Sequence, residues 1–320
     1  MQGPGRVCPL HYRYAPQVFA RATELRADTL LVAGGLYGNQ AALEALHRLL
    51  GADDMLIFNG DFNWFNVDPE GFAAVNSGVL QHVALRGNVE TELPVCGLEA
   101  GCGCAYPSTV DDVQVERSNA IMEHLKQTGA KYPEIAKRLG GLPMHAVARV
   151  GDVRVGIVHG DAWSLAGWQF AHDRLHAGNQ EDLMRFAFTD SGIDVFASSH
   201  TCLPAFRMLQ TGDKQRAVIN NGAAGMPNFA STRFGVVTRI SVRPCPQAIR
   251  LYGTRIGGVF IDAVKLHYDH SHFVRQFLSN WPAGSPAHES YYSRIINGPA
   301  HTLQRALGAD AADHARQRAG

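Results

Sequence analysis

The chain has no apolar run long enough to span a bilayer. It also has no excess of either charge: 29 Lys and Arg face 29 Asp and Glu. A membrane span is therefore not expected. No global field draws the protein to nucleic acid or to an anionic membrane, and no nucleic-acid footprint is visible. The opening stretch "MQGPGRVCPLHYRYAP" lacks an apolar core and a small-residue cleavage pattern, so no secretory signal is expected. Cysteine is sparse, six in 320 residues, which without secretory features suggests a reducing compartment; cytoplasm is the expected location. There is no internal repeat and no low-complexity tract. The most informative absence is local. "TLLVAGGLYGNQAALEAL", residues 29–46, reads as a buried strand, a glycine turn and a helix. Many α/β enzymes hold an anion or a metal at such a turn. Yet from Ala33 to Gln40 there is no Asp, Glu, His or Cys.

What is present is a chain long enough to bury a core without disulfide or metal staples. Short apolar runs end in Gly, Asn, Asp or His: "DTLLVAGG", "DMLIFNGD", "HVALRGN", "VRVGIVHG" and "DVFASSH". Helical periods separate them over 39–50, 68–80, 110–127 and 179–189. This alternation predicts α/β layers around a largely parallel sheet. After residue 215 the runs "QRAVINNG", "FGVVTRISV", "AIRLYGTRI" and "GVFIDAVKL" follow closely with no long helix between them, which predicts a meander or a second sheet. From about residue 269 the chain reads as helical. Two units are expected: a main domain over 1–268 and a helical C-terminal extension over 269–320, packed on it or beside it. Residues 91–110 form a long Gly/Cys/Pro-rich loop, and loops of that length are often functional.

Histidine is abundant at 15 residues, and neutral imidazole is the commonest metal ligand. Four strands end in polar residues: Asn59-Gly60-Asp61, Arg86-Gly87-Asn88, His159-Gly160-Asp161 and Ser199-His200. In open α/β sheets these ends face the ligand crevice. One carboxylate (Asp61), one amide oxygen (Asn88) and two imidazoles (His159, His200) are thus expected at one edge. That set suits Zn²⁺, Mn²⁺ or Fe²⁺. A lone Asp or His at a strand end is ordinarily a cap or a turn residue; four in this order carry more weight.

With these residues in place, the sequence resembles the calcineurin-like metallophosphoesterase superfamily. The superfamily's ordered motifs, D-x-H, G-D, G-N-H/D, a strand-end His and G-H-x-H, correspond to "GGLYGN", "NGDFN", "RGNVE", "VHGD" and "SHTC". "INNGAAGMPNF" looks like the glycine turn that follows the last ligand strand. The resemblance covers about residues 29–240. It implies an α/β fold, a four-layer α/β/β/α sandwich of two mixed sheets flanked by helices. It also implies that Gly35 and Tyr37 stand where the first motif has Asp and His. Cys202 stands where the last motif has its second His, and Val89 where a catalytic His or Asp follows the Asn. Carried over residue by residue, one metal set is complete: Asp61, Asn88, His159 and His200, which the resemblance also makes the catalytic set. The other keeps only the shared Asp61.

The resemblance therefore implies one divalent transition metal per chain (Mn, Zn or Fe), or a second site rebuilt with Tyr37 and Cys202. The implied activity is that of a phosphoesterase-like hydrolase, in which a water on the metal attacks a phosphoester, weakened by the missing clamp and proton donor. The competing expectation is an impaired relative that binds a phosphorylated ligand or partner in the same crevice. A phosphorylated small molecule or phosphoester is the expected partner; oligomeric state is not legible. Reading "AGGLYG" as a dinucleotide turn fails, because its glycines do not fit G-x-G-x-x-G and the four strand-end residues stay unexplained. For Tyr37 and Cys202 simple packing is the plainer expectation, since a phenol with an ordinary pKa near 10 needs help to ionise.

Other residues invite narrower roles. Arg86 is placed to pair with a phosphate oxygen, and Asn63 to orient ligand or water near Asp61. Cys96, Cys102 and Cys104 lack the C-x₂-C spacing of structural zinc sites, so a glycine-rich lid with incidental thiols is expected over the site mouth. "WSLAGWQFAHDRLH", with Trp163, Trp168, Phe170, His172 and His176, offers either a substrate wall or ordinary core. His172 and His176 are spaced as a helical metal pair but have no third ligand in view.

Overall fold

A computed structural model describes residues 3–97 and 99–308. Among the described residues, twelve strands form two six-stranded sheets. In chain order, one sheet is built from β1 (Glu24–Arg26), β5 (His145–Val150), β6 (Val153–Val158), β7 (Val195–Ser198), β8 (Ala205–Thr211) and β9 (Lys214–Asn220). Their spatial order is β1-β5-β6-β7-β9-β8. The other holds β2 (Thr29–Ala33), β3 (Met55–Asn59), β4 (Val83–Leu85), β10 (Gly235–Ser241), β11 (Arg250–Ile256) and β12 (Val259–Leu266), ordered β11-β12-β10-β2-β3-β4. Both sheets are mixed. Strands β3 and β4 pair in parallel, as do β6 and β7.

Side-chain alternation explains the layering. On β2, Leu30 and Val32 point inward and join Ile57, Val155, Ile157 and Val195 between the sheets. Leu31 and Ala33 point outward and join Leu43 and Leu46 of the helix Gln40–Leu49. A strand covered on both faces needs an unbroken apolar run, which is what "TLLVA" supplies. The other sheet is covered on its outer face by the helix Glu181–Ser191, through Met184 and Phe188 against Val218 and Phe196. The result is four layers, helix, sheet, sheet and helix.

The helix over 39–50 begins where Asn39 caps it, its side chain accepting from Ala42 N at 3.0 Å. Asp111 does the same for the helix Asp112–Gly129, accepting from Gln114 N at 2.8 Å.

Two sequence expectations change. The strand pattern alone suggested a largely parallel sheet, and the structure has two mixed ones in four layers, as the family resemblance implied. The strands after residue 215 do not form a sheet of their own: β9 pairs with β7 and β8, whereas β10 lies antiparallel beside β2 and carries β12 and β11 with it. Local periodicity marks a strand but not its partner, and here the partners lie about 200 residues away along the chain.

The helices His270–Asn280 and Pro286–Asn297 pack on the outer face of the β2 sheet. Phe273, Phe277, Trp281, Ala287 and Ile295 share one apolar cluster with Leu31 and Ala33. The Trp281 indole donates to Phe65 O at 3.0 Å. Residues 309–320, read from the sequence as the end of the helical extension, lie outside the described residues.

Candidate functional site

Asp61 follows β3, and Asn88 opens the short helix Asn88–Glu92 after β4. His159 follows β6, and His200 lies two residues beyond β7. The four do not line one sheet edge as the sequence suggested. Two come from each sheet and meet across the seam. Gly34 and Gly60 let the strand ends come this close. A Cβ at Gly60, whose φ is +100°, would lie 2.6 Å from Gly87 N and 2.6 Å from His159 Nδ1.

His159 Nε2 is the centre of the cluster. It lies 3.3 Å from Asp61 Oδ1, 3.1 Å from Asn88 Oδ1 and 3.0 Å from His200 Nδ1. What each group does with its other atoms decides what these atoms are. His159 Nδ1 faces Asn59 O at 2.9 Å, so that nitrogen carries the proton. His200 Nε2 faces Cys104 O at 3.0 Å and donates there. Asn88 Nδ2 donates to Cys102 O at 2.8 Å. The inward atoms of the two neutral rings, the amide and the carboxylate are then all acceptors. Four buried acceptors converging on one point repel one another unless a cation or a proton sits among them. A first-row divalent ion with bonds of about 2.0–2.2 Å sets its ligand atoms about 3.0–3.4 Å apart, so the spacing fits such an ion. Asp61, His159 and His200 are also the one group of three or more His, Cys, Asp or Glu side chains able to hold a metal among the described residues.

Electrostatics agree with this arrangement. Burial alone would raise the Asp61 pKa, but His159, His200 and the Val89 N–H together outweigh it and hold the carboxyl below its ordinary value. Burial likewise pushes His159 down, and Asp61, with the Asn59 carbonyl and Glu90, outweighs that and raises it. His200, buried beside His159, is pushed down to about 3. A proton on the inner nitrogen of His159 and a divalent cation thus compete for the same point.

The loop over 91–110 does more than cover the site. Its Cys102 and Cys104 carbonyls fix the orientation of two of the four candidate ligands, the outer-shell role that partner groups play at metal sites. Cys104 O also accepts from Trp168 Nε1 at 3.0 Å. The thiols of Cys102 and Cys104 are free and buried, and Cys96 is free and exposed. Gly103 between the two carbonyls has φ +67°, and a Cβ there would meet the Tyr12 hydroxyl first, then Glu92 Cγ at 2.8 Å and Asn88 Cβ at 3.2 Å. Gly103→Ala is therefore expected to lower metal affinity about 10–100-fold by swinging both carbonyls. The backbone strain costs about 1–3 kcal/mol of stability. Chelator competition and thermal denaturation of the metal-free protein measure the two effects separately.

Glu90 is a site residue that sequence reasoning missed. Its buried carboxylate accepts from Asp61 N at 2.8 Å, Phe62 N at 3.1 Å and Gly87 N at 3.0 Å. It thereby pins Asp61 in its left-handed backbone conformation, φ 55°. Burial, with Asp61 nearby, pushes its pKa up to about 7. The available signal was the acid at the third helical residue of "GNVE", the reaching-back position of a capping box. Asp161 acts similarly on the Trp168 loop, accepting from Trp163 N, Ser164 N and Gln169 N at 2.8–3.1 Å.

The charge-free turn after β2 is filled from within. A Cβ on Gly35 would lie 2.8 Å from the Tyr37 hydroxyl, so the Tyr37 ring lies over Gly35 where a side chain at 35 would stand. The Tyr37 hydroxyl and Cys202 thiol are hydrogen-bonded to one another at 2.8 Å. Burial raises the pKa of both, with Cys202 and Asp61 adding to the rise at Tyr37. The turn is also clamped from outside: Ala224 N donates to Gly34 O at 2.8 Å and Gly225 N to Gly35 O at 2.9 Å.

Two expectations need correction. Arg86 does not face the crevice. Its guanidinium donates to Gly140 O, in a separate cleft near Lys126 and Lys137, because the chain turns at Gly87 before reaching the site. Asn63 does not orient a ligand either, since both ends of its buried amide are engaged by Asn66 and Asn76 at 2.9–3.1 Å. Val89 is buried in the apolar cluster with Leu93. Of the aromatic segment, Trp168 lines the crevice, Trp163 lines a neighbouring one and Phe170 is core. His172 packs on His301, and His176 Nε2 faces Ala306 O at 3.2 Å, so the two do not form a metal pair.

No protein-family model and no curated protein matches the sequence. Solved structures do. A metallophosphoesterase from Sphaerobacter thermophilus is 17% identical, with a TM-score of 0.53, over 85% of this chain and 100% of its own. A hypothetical protein from Pyrococcus horikoshii OT3 is 14% identical, with a TM-score of 0.56, over 85% of this chain and 99% of its own. The chain has the metallophosphoesterase fold, an α/β sandwich of two mixed sheets flanked by helices. It carries a possible metal site at Asp61, His159 and His200. No helix among the described residues is long and apolar enough to cross a membrane.

Proposed function

We propose that this chain is a phosphoester hydrolase working with one divalent transition ion, held by Asp61, Asn88, His159 and His200. The observation that carries this reading is the convergence of four acceptors, three of them 3.0–3.3 Å from His159 Nε2, with the opposite atoms of three of the four tied to carbonyls. The likeness in fold to a protein described as a metallophosphoesterase supports phosphoesters as the substrate class. When bound, such an ion supplies Lewis acidity, which activates water and polarises a phosphoryl oxygen. The chain's own residues orient the ligands, through the carbonyls of Asn59, Cys102 and Cys104. They deliver no proton from position 89, where the Val89 side chain is buried in the core. General acid–base help is typically worth about 10²–10⁴-fold, so turnover is expected to be slow.

A second reading, binding without turnover, draws on the Tyr37 ring over Gly35 and on Val89. One experiment separates the two. Purified protein is loaded with Mn²⁺, Zn²⁺ or Fe²⁺ under reducing conditions, its metal content is measured, and it is offered aryl phosphate monoesters and diesters. Metal-dependent turnover supports the hydrolase. Retained metal with ester binding but no turnover supports the binding protein. A chain that takes up no metal sinks both.

A further inference from the structure

Asp61, Asn88 and His200 open onto a cavity of about 190 Å³ whose walls include Tyr37, Trp64, Tyr106, Trp168 and Tyr291, with Arg294 among them. Tyr291 and Arg294 come from the helix Pro286–Asn297, beyond the segment covered by the sequence motifs. Arg294 Nη2 donates to Cys202 O at 2.6 Å and Nε to Pro227 O at 3.3 Å. Nη1 has no hydrogen-bond partner and the guanidinium no carboxylate partner among the described residues. A guanidinium is always charged, and its planar fork matches phosphate. An unpaired one on an aromatic cavity calls for an anion. Its position adds to this, because the carbonyl it grips belongs to Cys202, half of the hydrogen-bonded Tyr37–Cys202 pair that fills the side of the site lacking ligands.

Building on the reading above, we propose that Arg294 anchors the phosphoryl group and supplies the second positive centre of this site, and that the substrate is a phosphate monoester with one small, flat substituent. Charge matching favours the monoester. A divalent ion against the Asp61 carboxylate leaves one net positive charge and Arg294 adds another, which balances a monoester dianion; the Glu90 carboxylate does not line the cavity, its oxygens being taken by the backbone N–H groups of Asp61, Phe62 and Gly87. Size points the same way. Ordinary ligand pockets run to about 300–1,000 Å³, so this smaller cavity takes a phosphoryl group and one compact arm rather than two. The aromatic walls offer ring faces to that arm.

The test uses the metal-loaded full chain and inorganic phosphate as the probe, titrated by calorimetry into wild type, Arg294→Gln and Arg294→Lys, with metal content and thermal midpoint measured for each. Phosphate affinity is expected to fall tenfold or more in Arg294→Gln while its metal content stays at the wild-type level. Phenyl phosphate is expected to compete with phosphate and diphenyl phosphate is not. An Arg294→Gln protein with full metal that binds phosphate within twofold of wild type overturns the anchor. Equal competition by the diester overturns the substrate class. Where Arg294→Gln also loses its metal, Arg294→Lys decides: full metal with phosphate bound threefold or more weaker, from loss of the fork, supports the anchor, and unchanged affinity overturns it. Wild-type protein without metal defeats the proposed function and the anchor with it. Wild-type protein that holds metal but not phosphate defeats the anchor alone.

Discussion

Asp61→Asn is expected to weaken metal binding by well over the roughly 10–100-fold that loss of an outer-shell partner costs at metal sites. Asp61 is the one anion among the four converging groups, and replacing it leaves neutral ligands only. Asparagine is the right probe. It is isosteric, and it tolerates the left-handed backbone at this position, φ 55°, better than other residues. The three hydrogen bonds that Glu90 accepts from Asp61, Phe62 and Gly87 are all to backbone N–H groups and survive the change. Thermal denaturation supplies an independent reading. An ion at 1,000 times its dissociation constant stabilises a protein by about 4 kcal/mol. Wild type should gain that on metal addition, and Asp61→Asn should gain almost nothing at the same concentration. A variant that keeps wild-type affinity would show that the carboxylate is not a ligand, and the one-ion site would fall with it.

Gly60→Ala is expected to be a strongly damaging single-methyl change near the site. The φ of +100° is open to glycine and costly for any L side chain. The added Cβ would meet two groups that cannot move cheaply, Gly87 N and the His159 ring, each at 2.6 Å. Backbone strain of about 1–3 kcal/mol and overpacking of about 1–3 kcal/mol together predict a loss of roughly 2–6 kcal/mol in denaturant unfolding. Metal affinity should fall as well, because relief of the clash displaces His159 or the strand end carrying Asn88. Gly178→Ala is the control: nothing lies within 4 Å of its would-be Cβ, and the change should be neutral or slightly stabilising. If both alanines are equally benign, the two sheets do not meet as closely as described.

The sequence was legible where chemistry follows from position on a strand. Asp61, Asn88, His159 and His200 stood at strand ends beside small residues, and strand ends are where an α/β fold exposes side chains to a crevice. The helices over 39–50, 68–80, 110–127 and 179–189 were legible because their apolar period and caps are local. Arg86 and Asn63 misled for the same reason: proximity in sequence to a site residue says nothing about which way a side chain leaves a turn. Arg86 turns to Gly140 and Asn63 to Asn66 and Asn76.

By itself, then, the amino-acid order determined the α/β class, the four polar groups and the empty first turn, since each is set by neighbours a few residues apart. Tertiary structure decided that two candidate ligands come from each of two sheets, and that backbone carbonyls of the cysteine loop aim Asn88 and His200. It also decided that Tyr37 covers Gly35, and that Arg294 reaches the crevice from a helix some 90 residues beyond Cys202. These are contacts between segments far apart in the chain. They depend on which strand pairs with which and on how closely glycine lets two backbones approach, and no local pattern encodes either.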